Sequence, residues 1–193
     1  MFFLSRPSAA VIAQFLAGAE TTSLSYSPIG IARQRHVSGF DLDETTAVVG
    51  HGEPDFARAL AALASWKHMT LGWVEVFPHD PPIETGTTVA VLARHLGIWS
   101  LNACRVVYSV EESTGLSPSF GFAYGTLRDH VERGEEIFTV RFDRQTEDVV
   151  YTVRAASQPR AVIAKIGRPA ARALQTRFRE QTCDALRRVL LPR

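Results

Sequence analysis

The amino-acid sequence predicts a single α+β domain over residues 1–193: a curved antiparallel sheet of about seven strands wrapped around a long C-terminal helix. Three observations predict it. From Leu71 onward come six runs rich in Val, Phe, Tyr and Thr: LGWVEVF, GTTVAVLARH, LNACRVVYSVE, FGFAYGTL, EEIFTVRF and DVVYTVRA. Such composition favours strands. Their connections are short and carry Pro-Pro, Gly or charge, which favours consecutive antiparallel pairing over crossover helices. Beyond Pro169, the residues Ala171, Leu174, Phe178, Thr182, Ala185 and Val189 step by three or four, so one helix face must be covered. With 46% hydrophobic residues and eleven Phe, the chain can fill one core.

The elements before the sheet follow from local pattern. MFFLSRPSAAVIAQFLAGAE predicts a surface helix within residues 1–20, with Ser5 as cap, Pro7 in the first turn, and Ile12, Phe15, Leu16 and Ala19 as its apolar stripe. The segment lacks the basic start of a secretion signal and is too short to span a membrane, so a cytoplasmic protein is expected. TTSLSYSPIGIARQRH reads as a loop, and Val37–Val49 contains a strand. GHGEPDF has the strand–glycine–helix shape of a phosphate loop but lacks its Lys-Ser/Thr. Glu53 and Asp55 also place negative charge where an anion would sit, so a plain turn into a helix is predicted. That helix runs from Pro54 to Trp66, with Phe56, Leu60, Leu63 and Trp66 buried. Sheet and helices occupy 36–193. This element order is, by analogy, that of the helix-grip or START-like layout, which normally encloses an apolar cavity.

Two stretches carry most of the functional interest. In FGFAYGTLRDHVERGEEIFTV, residues 120–140, Phe120, Phe122, Tyr124 and Thr126 share one strand face, while Gly121, Ala123 and Gly125 share the other. Something must approach that bare face closely: the terminal helix, a ligand, or the sheet itself at a bend. Arg128–Gly134 reads as a solvated hairpin connection, so Asp129, His130, Glu132 and Glu135 are expected as turn residues rather than an acid–base pair. Glu136 shares a face with Phe138 and Val140 and would need a cationic partner, for which Arg105 is the candidate. In RHLGIWSLNACR, residues 94–105, a connection holds Leu96, Ile98, Trp99 and Leu101. It either folds over the sheet as core or forms a pocket mouth, with Asn102 and Arg105 as fixed polar groups.

Charge and motifs narrow the function classes. The net charge of +1 gives no global argument for nucleic acid. Residues 160–193 hold nine Arg or Lys against two acids, and a solvated basic helix face is the expected consequence. The two cysteines, Cys104 and Cys183, match no metal spacing and are expected as reduced thiols. The six histidines show no ligand spacing, so no metal and no cofactor are assigned. No nucleophile elbow is present.

The strings GTTVAVLARHLGIWSLNACRVVY and FGFAYGTL, with LGWVEVFP upstream and a GEE-x-F-x-V pattern downstream, resemble the DUF1990-type proteins of bacteria and plants, a family defined as a domain of unknown function. The resemblance runs from about Leu24 to the terminal helix. Leu127-Arg128-Asp129-His130 stands where the family has Leu-Pro-Gly-His, and Ser157-Gln158-Pro159-Arg160 where Ser-Arg-Pro-Arg is usual. Both departures fall in connections, and no catalytic residue transfers. The function expected is therefore a binding module for a small hydrophobic or amphipathic ligand, with Trp99, Asn102, Arg105, Tyr124 and Glu136 as candidate ligand-binding residues. A cyclase, hydrolase or isomerase using the same cavity is the alternative, and a protein-interaction role for Arg172, Arg179 and Arg187 the third.

Overall fold

The computed structural model describes residues 1–113, 115–159 and 168–191. Eight strands form one antiparallel sheet: β1 (Phe2–Phe3), β2 (Asp41–His51), β3 (Val74–Phe77), β4 (Thr88–His95), β5 (Ile98–Glu112), β6 (Ser119–Thr126), β7 (Glu132–Phe142) and β8 (Asp148–Pro159). Among the described residues, three α-helices accompany them: α1 (Ala9–Ala19), α2 (Gly52–Ala64) and α3 (Arg168–Leu190). β3 to β8 pair consecutively and β2 closes onto β8, giving the order β2-β8-β7-β6-β5-β4-β3. The six predicted runs are thus six successive strands, and the sheet grips α3 in a helix-grip arrangement. β1 pairs with β5 at Ser100 and Trp99, alongside the part of β5 that β6 does not reach.

The N-terminal helix starts later than its sequence suggests. Ser8, not Ser5, is the cap, its hydroxyl accepting from the Val11 N–H at 3.4 Å, and Phe2–Phe3 form a strand instead. Pro7 precedes the cap. α1 lies on the convex side of the sheet, where Ile12 packs with Ala90, Leu92 and Leu101. α2 follows β2 directly, as a plain turn would have it. Asp55 accepts from the His51 N–H at 2.9 Å, which holds its carboxyl below the usual range together with the nearby Arg58.

The concave face is filled at one end and hollow at the other. At the filled end Phe122, Phe138, Phe142 and Tyr151 pack against α2, Trp66 and the second half of α3 through Cys183, Leu186 and Leu190. Cys104 and Cys183 are both free and buried. The α3 stripe differs from the predicted one at its ends. Thr182 and Ala185 are buried, Leu174 and Phe178 are half-buried, and Val189 is exposed. The side chain of Ala171 lies outside the described residues. Arg179, expected on a solvated face, is only 6% exposed, because Asp43 and Thr45 of β2 face it. Arg172 likewise turns to β2, donating twice to Asp43 at 2.6 and 2.9 Å. Among the described residues, no helix is long and apolar enough to cross a membrane.

Candidate functional site

Of the three approaches left open for the small-residue face of β6, the bent sheet is the one found, and a neighbour that the sequence did not suggest joins it. A Cβ at Gly125 would land on the Tyr26 ring, and one at Gly121 on the backbone of β7. The neighbours are therefore the loop before β2 and the bent sheet itself; the terminal helix packs on the other side. Tyr26 is held there by Glu135, a 3% exposed carboxylate. Glu135 accepts from the Tyr26 hydroxyl (2.7 Å), the Tyr108 hydroxyl (2.6 Å), and the N–H groups of Gly30 (2.8 Å) and Ala32 (3.2 Å). Glu135 is not a turn residue. β7 begins at Glu132, so the hairpin connection is shorter than the charge pattern implied.

On the concave side, the first half of α3 stands over a cavity of about 800 Å³. The chain leaves this space by placing small or polar residues at inward positions: Ala93 on β4, Ser100 and Asn102 on β5, Thr126 on β6, and Ala155 and Ser157 on β8. Leu174 and Phe178 line the cavity without filling it. Trp73 forms part of the apolar wall. Its ring meets Phe178 edge-on at 6.3 Å, and its N–H donates to Gln181 at 2.6 Å.

The connection proposed over residues 94–105 is mostly strand. Only Leu96 and Gly97 turn, both with positive φ (52° and 79°), as a primed two-residue hairpin requires. Leu96 is 85% exposed and, with Ile98, Phe2 and Leu4, forms an apolar rim to the cavity. Part of the segment is thus the mouth of a pocket, while Leu101 packs on the convex side.

The five candidate residues divide between the two faces of the sheet. Asn102, Tyr124 and Glu136 line the cavity. Trp99 and Arg105 lie on the convex face. Trp99 packs with Ile12 and Leu101 under the Arg94 guanidinium, 5.7 Å from its ring centre. Arg105 closes the C-terminal end of α1, donating to the carbonyls of Ala19 (2.9 Å), Glu20 (2.8 Å) and Thr22 (3.0 Å). The alternation of β5 puts Asn102 inside and Arg105 outside, so Arg105 is not the partner of Glu136.

The polar end of the cavity is built by cross-strand pairing. Tyr124 sits opposite Glu136, and its hydroxyl donates to Glu136 Oε2 at 2.8 Å. Desolvation pushes the Glu136 carboxyl up to about 7, against the pull of Tyr124 and the more distant charge of Arg179. Glu132, four residues earlier on the same face, accepts from Gln175 Nε2 of α3 at 2.7 Å and is also raised by burial. Asn102 is fixed at both ends, its Oδ1 accepting from the Val131 N–H at 3.2 Å and its amide donating to Ser100 at 3.3 Å. The sequence places Glu132 in a turn and gives no sign of Gln175. Glu132 sits in a charged run that reads as solvent-exposed, and Gln175 meets it only across the fold.

Residues 25–185 match the family described as a domain of unknown function, DUF1990. The chain belongs to the DUF1990 family. Its relatives include a UPF0548 protein of Dictyostelium discoideum, 31% identical over 96% of this chain and 94% of the relative. A UPF0548 protein of Deinococcus radiodurans is 35% identical over 74% and 76% of the two chains. Among solved structures, this DUF1990 protein is similar in fold to ginseng major latex-like protein 151 from Panax ginseng, with a TM-score of 0.52, 15% identity, and coverage of 80% of this chain and 100% of that one. A hypothetical protein of Helicobacter pylori superposes with a TM-score of 0.50 at 12% identity, covering 86% and 96%. At these identities the likeness is one of fold. Of this chain's two local departures from the family pattern noted above, Leu127–His130 falls in the β6–β7 connection, but Gln158 lies within β8, opposite Arg133 of β7, and not in a connection; Arg160 lies outside the described residues.

Proposed function

We propose that this DUF1990 protein binds one small amphipathic ligand in the cavity between the sheet and the first half of α3. The observation that carries the reading is the hollow itself. A space of about 800 Å³ lies where Leu174 and Phe178 leave room, with apolar walls and a few fixed polar groups at one end. Protein interiors are close-packed, and a void of this size with convergent polar groups is the usual form of a ligand site. The ligand's apolar body lies along Trp73, Val91, Ala93, Leu174 and Phe178, and its head meets Tyr124 and Glu136.

The test is a fluorescence titration with N-phenyl-1-naphthylamine, a neutral apolar dye. Saturable binding to the wild-type protein is expected, with at least a tenfold loss in Ala93→Phe, whose ring would occupy the hollow. Circular dichroism and thermal unfolding check that the variant keeps its fold. Absence of saturable binding, or equal binding by a folded Ala93→Phe, overturns the reading.

A second reading, that the cavity also performs proton-transfer chemistry, is carried by the Tyr124–Glu136 pair, since a carboxyl poised near 7 suits a general acid or base. Any turnover of a bound compound must then vanish in Glu136→Gln while binding persists. Turnover that survives this substitution removes the second reading.

A further inference from the structure

The proposed binding reading fixes a place for the ligand's head but not its chemistry, and the inventory of donors and acceptors at the polar end narrows the choice. The donors nearest the head position are already used within the protein. The Tyr124 hydroxyl goes to Glu136, and the Gln175 amide goes to Glu132 and, at 3.3 Å, to Ser157. What remains at Glu136 and Gln175 is acceptor capacity. Gln175 Oε1 is buried without a hydrogen-bond partner, and among the described residues Tyr124 is the donor that reaches Glu136. A carboxylate can accept about four hydrogen bonds.

The charges point the same way. Arg172, Arg177 and Arg179 are the cations α3 brings to this region; Arg172 and Arg179 are drawn to Asp43, at 2.6 and 3.5 Å, and the Arg177 guanidinium lies over the Trp73 ring, 5.0 Å from its centre. Among the described residues, neither Glu132 nor Glu136 has a cation within ion-pair distance. The charged and titratable groups around Glu136 are Tyr124 on β6, Cys104 on β5, Glu132 on β7, Tyr151 on β8, Asp43 on β2 and Arg179 on α3. Glu132, Asp43 and the phenols bring no positive charge, and Arg179, the cation of this group, pairs with Asp43, so among the described residues Glu136 has no ion-pair partner. A buried carboxyl without a counter-charge is costly in its ionised form, and burial accordingly holds Glu136 toward protonation. An ammonium group would remove that cost and fill the open acceptors at once.

We infer that the cavity selects a ligand whose head is a protonated amine on an apolar body, seated between Glu136 and the free amide oxygen of Gln175. An alcohol of the same length offers one donor and no charge, and a carboxylate head would bring a third negative group beside Glu132 and Glu136.

The inference rests on the cavity being the binding site, and the experiment separates the two. Decylamine, decanol and decanoate are titrated near pH 7 into wild-type protein and into Glu136→Gln and Glu132→Gln, by displacement of N-phenyl-1-naphthylamine. Decylamine is expected to bind at least tenfold more tightly than decanol, and decanoate more weakly than either. Glu136→Gln should remove the preference for the amine, bringing the decylamine and decanol affinities of the variant within about threefold of each other. Equal affinity for amine and alcohol, or an amine preference that survives both Gln variants, overturns the inference while leaving the cavity reading intact. If neither the dye nor any of the three compounds binds, the cavity reading fails and this inference with it.

Discussion

At Glu136, burial and hydrogen bonding act in opposite directions, and burial prevails. Its carboxyl titrates at about 7 in the folded protein, against 4.5 for an ordinary glutamate. A folded-state value above the unfolded one means that the native protein holds this proton more tightly. Native stability from this group is therefore greatest below about pH 4.5, declines as pH rises through the window from 4.5 to 7, and levels off above it. Glu136→Gln removes that dependence. The variant should match wild type in acid and exceed it near pH 8, by up to about 3 kcal/mol. Urea unfolding midpoints at about pH 5, 6.5 and 8 check this; a gain that does not grow with pH would exclude the assigned cause. Glu135, one residue earlier, presents the opposite case. It points to the convex face, where four protein donors satisfy it. Removing it strands two hydroxyls and two backbone N–H groups, so Glu135→Ala should cost about 3–5 kcal/mol in urea unfolding. A loss under about 1 kcal/mol would mean that Glu135 does not hold the Tyr26 loop in place.

At the scale of the element, α3 is two helices in one. Its second half is anchored by apolar burial of Cys183, Leu186 and Leu190. Its first half, over the cavity, is held mainly by polar contacts: Arg172 to Asp43, Gln175 to Glu132, and Arg179 to Asp43 and Thr45. Arg172 and its partner are partly exposed, which limits the pair's effect on global stability to under about 1 kcal/mol. Arg172→Ala should therefore leave the urea midpoint nearly unchanged and still speed amide hydrogen exchange over residues 172–178, relative to 183–190. Equal exchange in both halves would count against the division. The six strand runs were legible because alternation and composition are local properties. The division of α3 was not, because it depends on Asp43, more than a hundred residues away. The same holds for Glu132 and Glu135. Their charged run resembles a wet turn until Gln175 and Tyr26 arrive from distant parts of the chain. Trp99 and Arg105 went astray for a different reason. The two-residue turn at Leu96-Gly97 carries a leucine where Asn or Asp is usual, so the segment lacks a hairpin signature, and without the hairpin there is no strand alternation to place both residues outside.

For the whole molecule, the central feature is uneven filling of one concave face. Phe122, Phe138, Phe142 and Tyr151 close one end; Ala93, Ser100, Asn102, Ala155 and Ser157 leave the other open. The layout of sheet and terminal helix could be read from element order, and with it the expectation of a cavity. The position of the hollow could not, since it is set by which small residues face one another across four strands. Native mass spectrometry of the protein with excess N-phenyl-1-naphthylamine tests the account most directly. One dye per chain is expected on the wild type and none on a folded Ala93→Phe. A wild-type protein that retains no dye, or one whose adducts are unchanged in Ala93→Phe, would contradict the claim that this cavity is a ligand site.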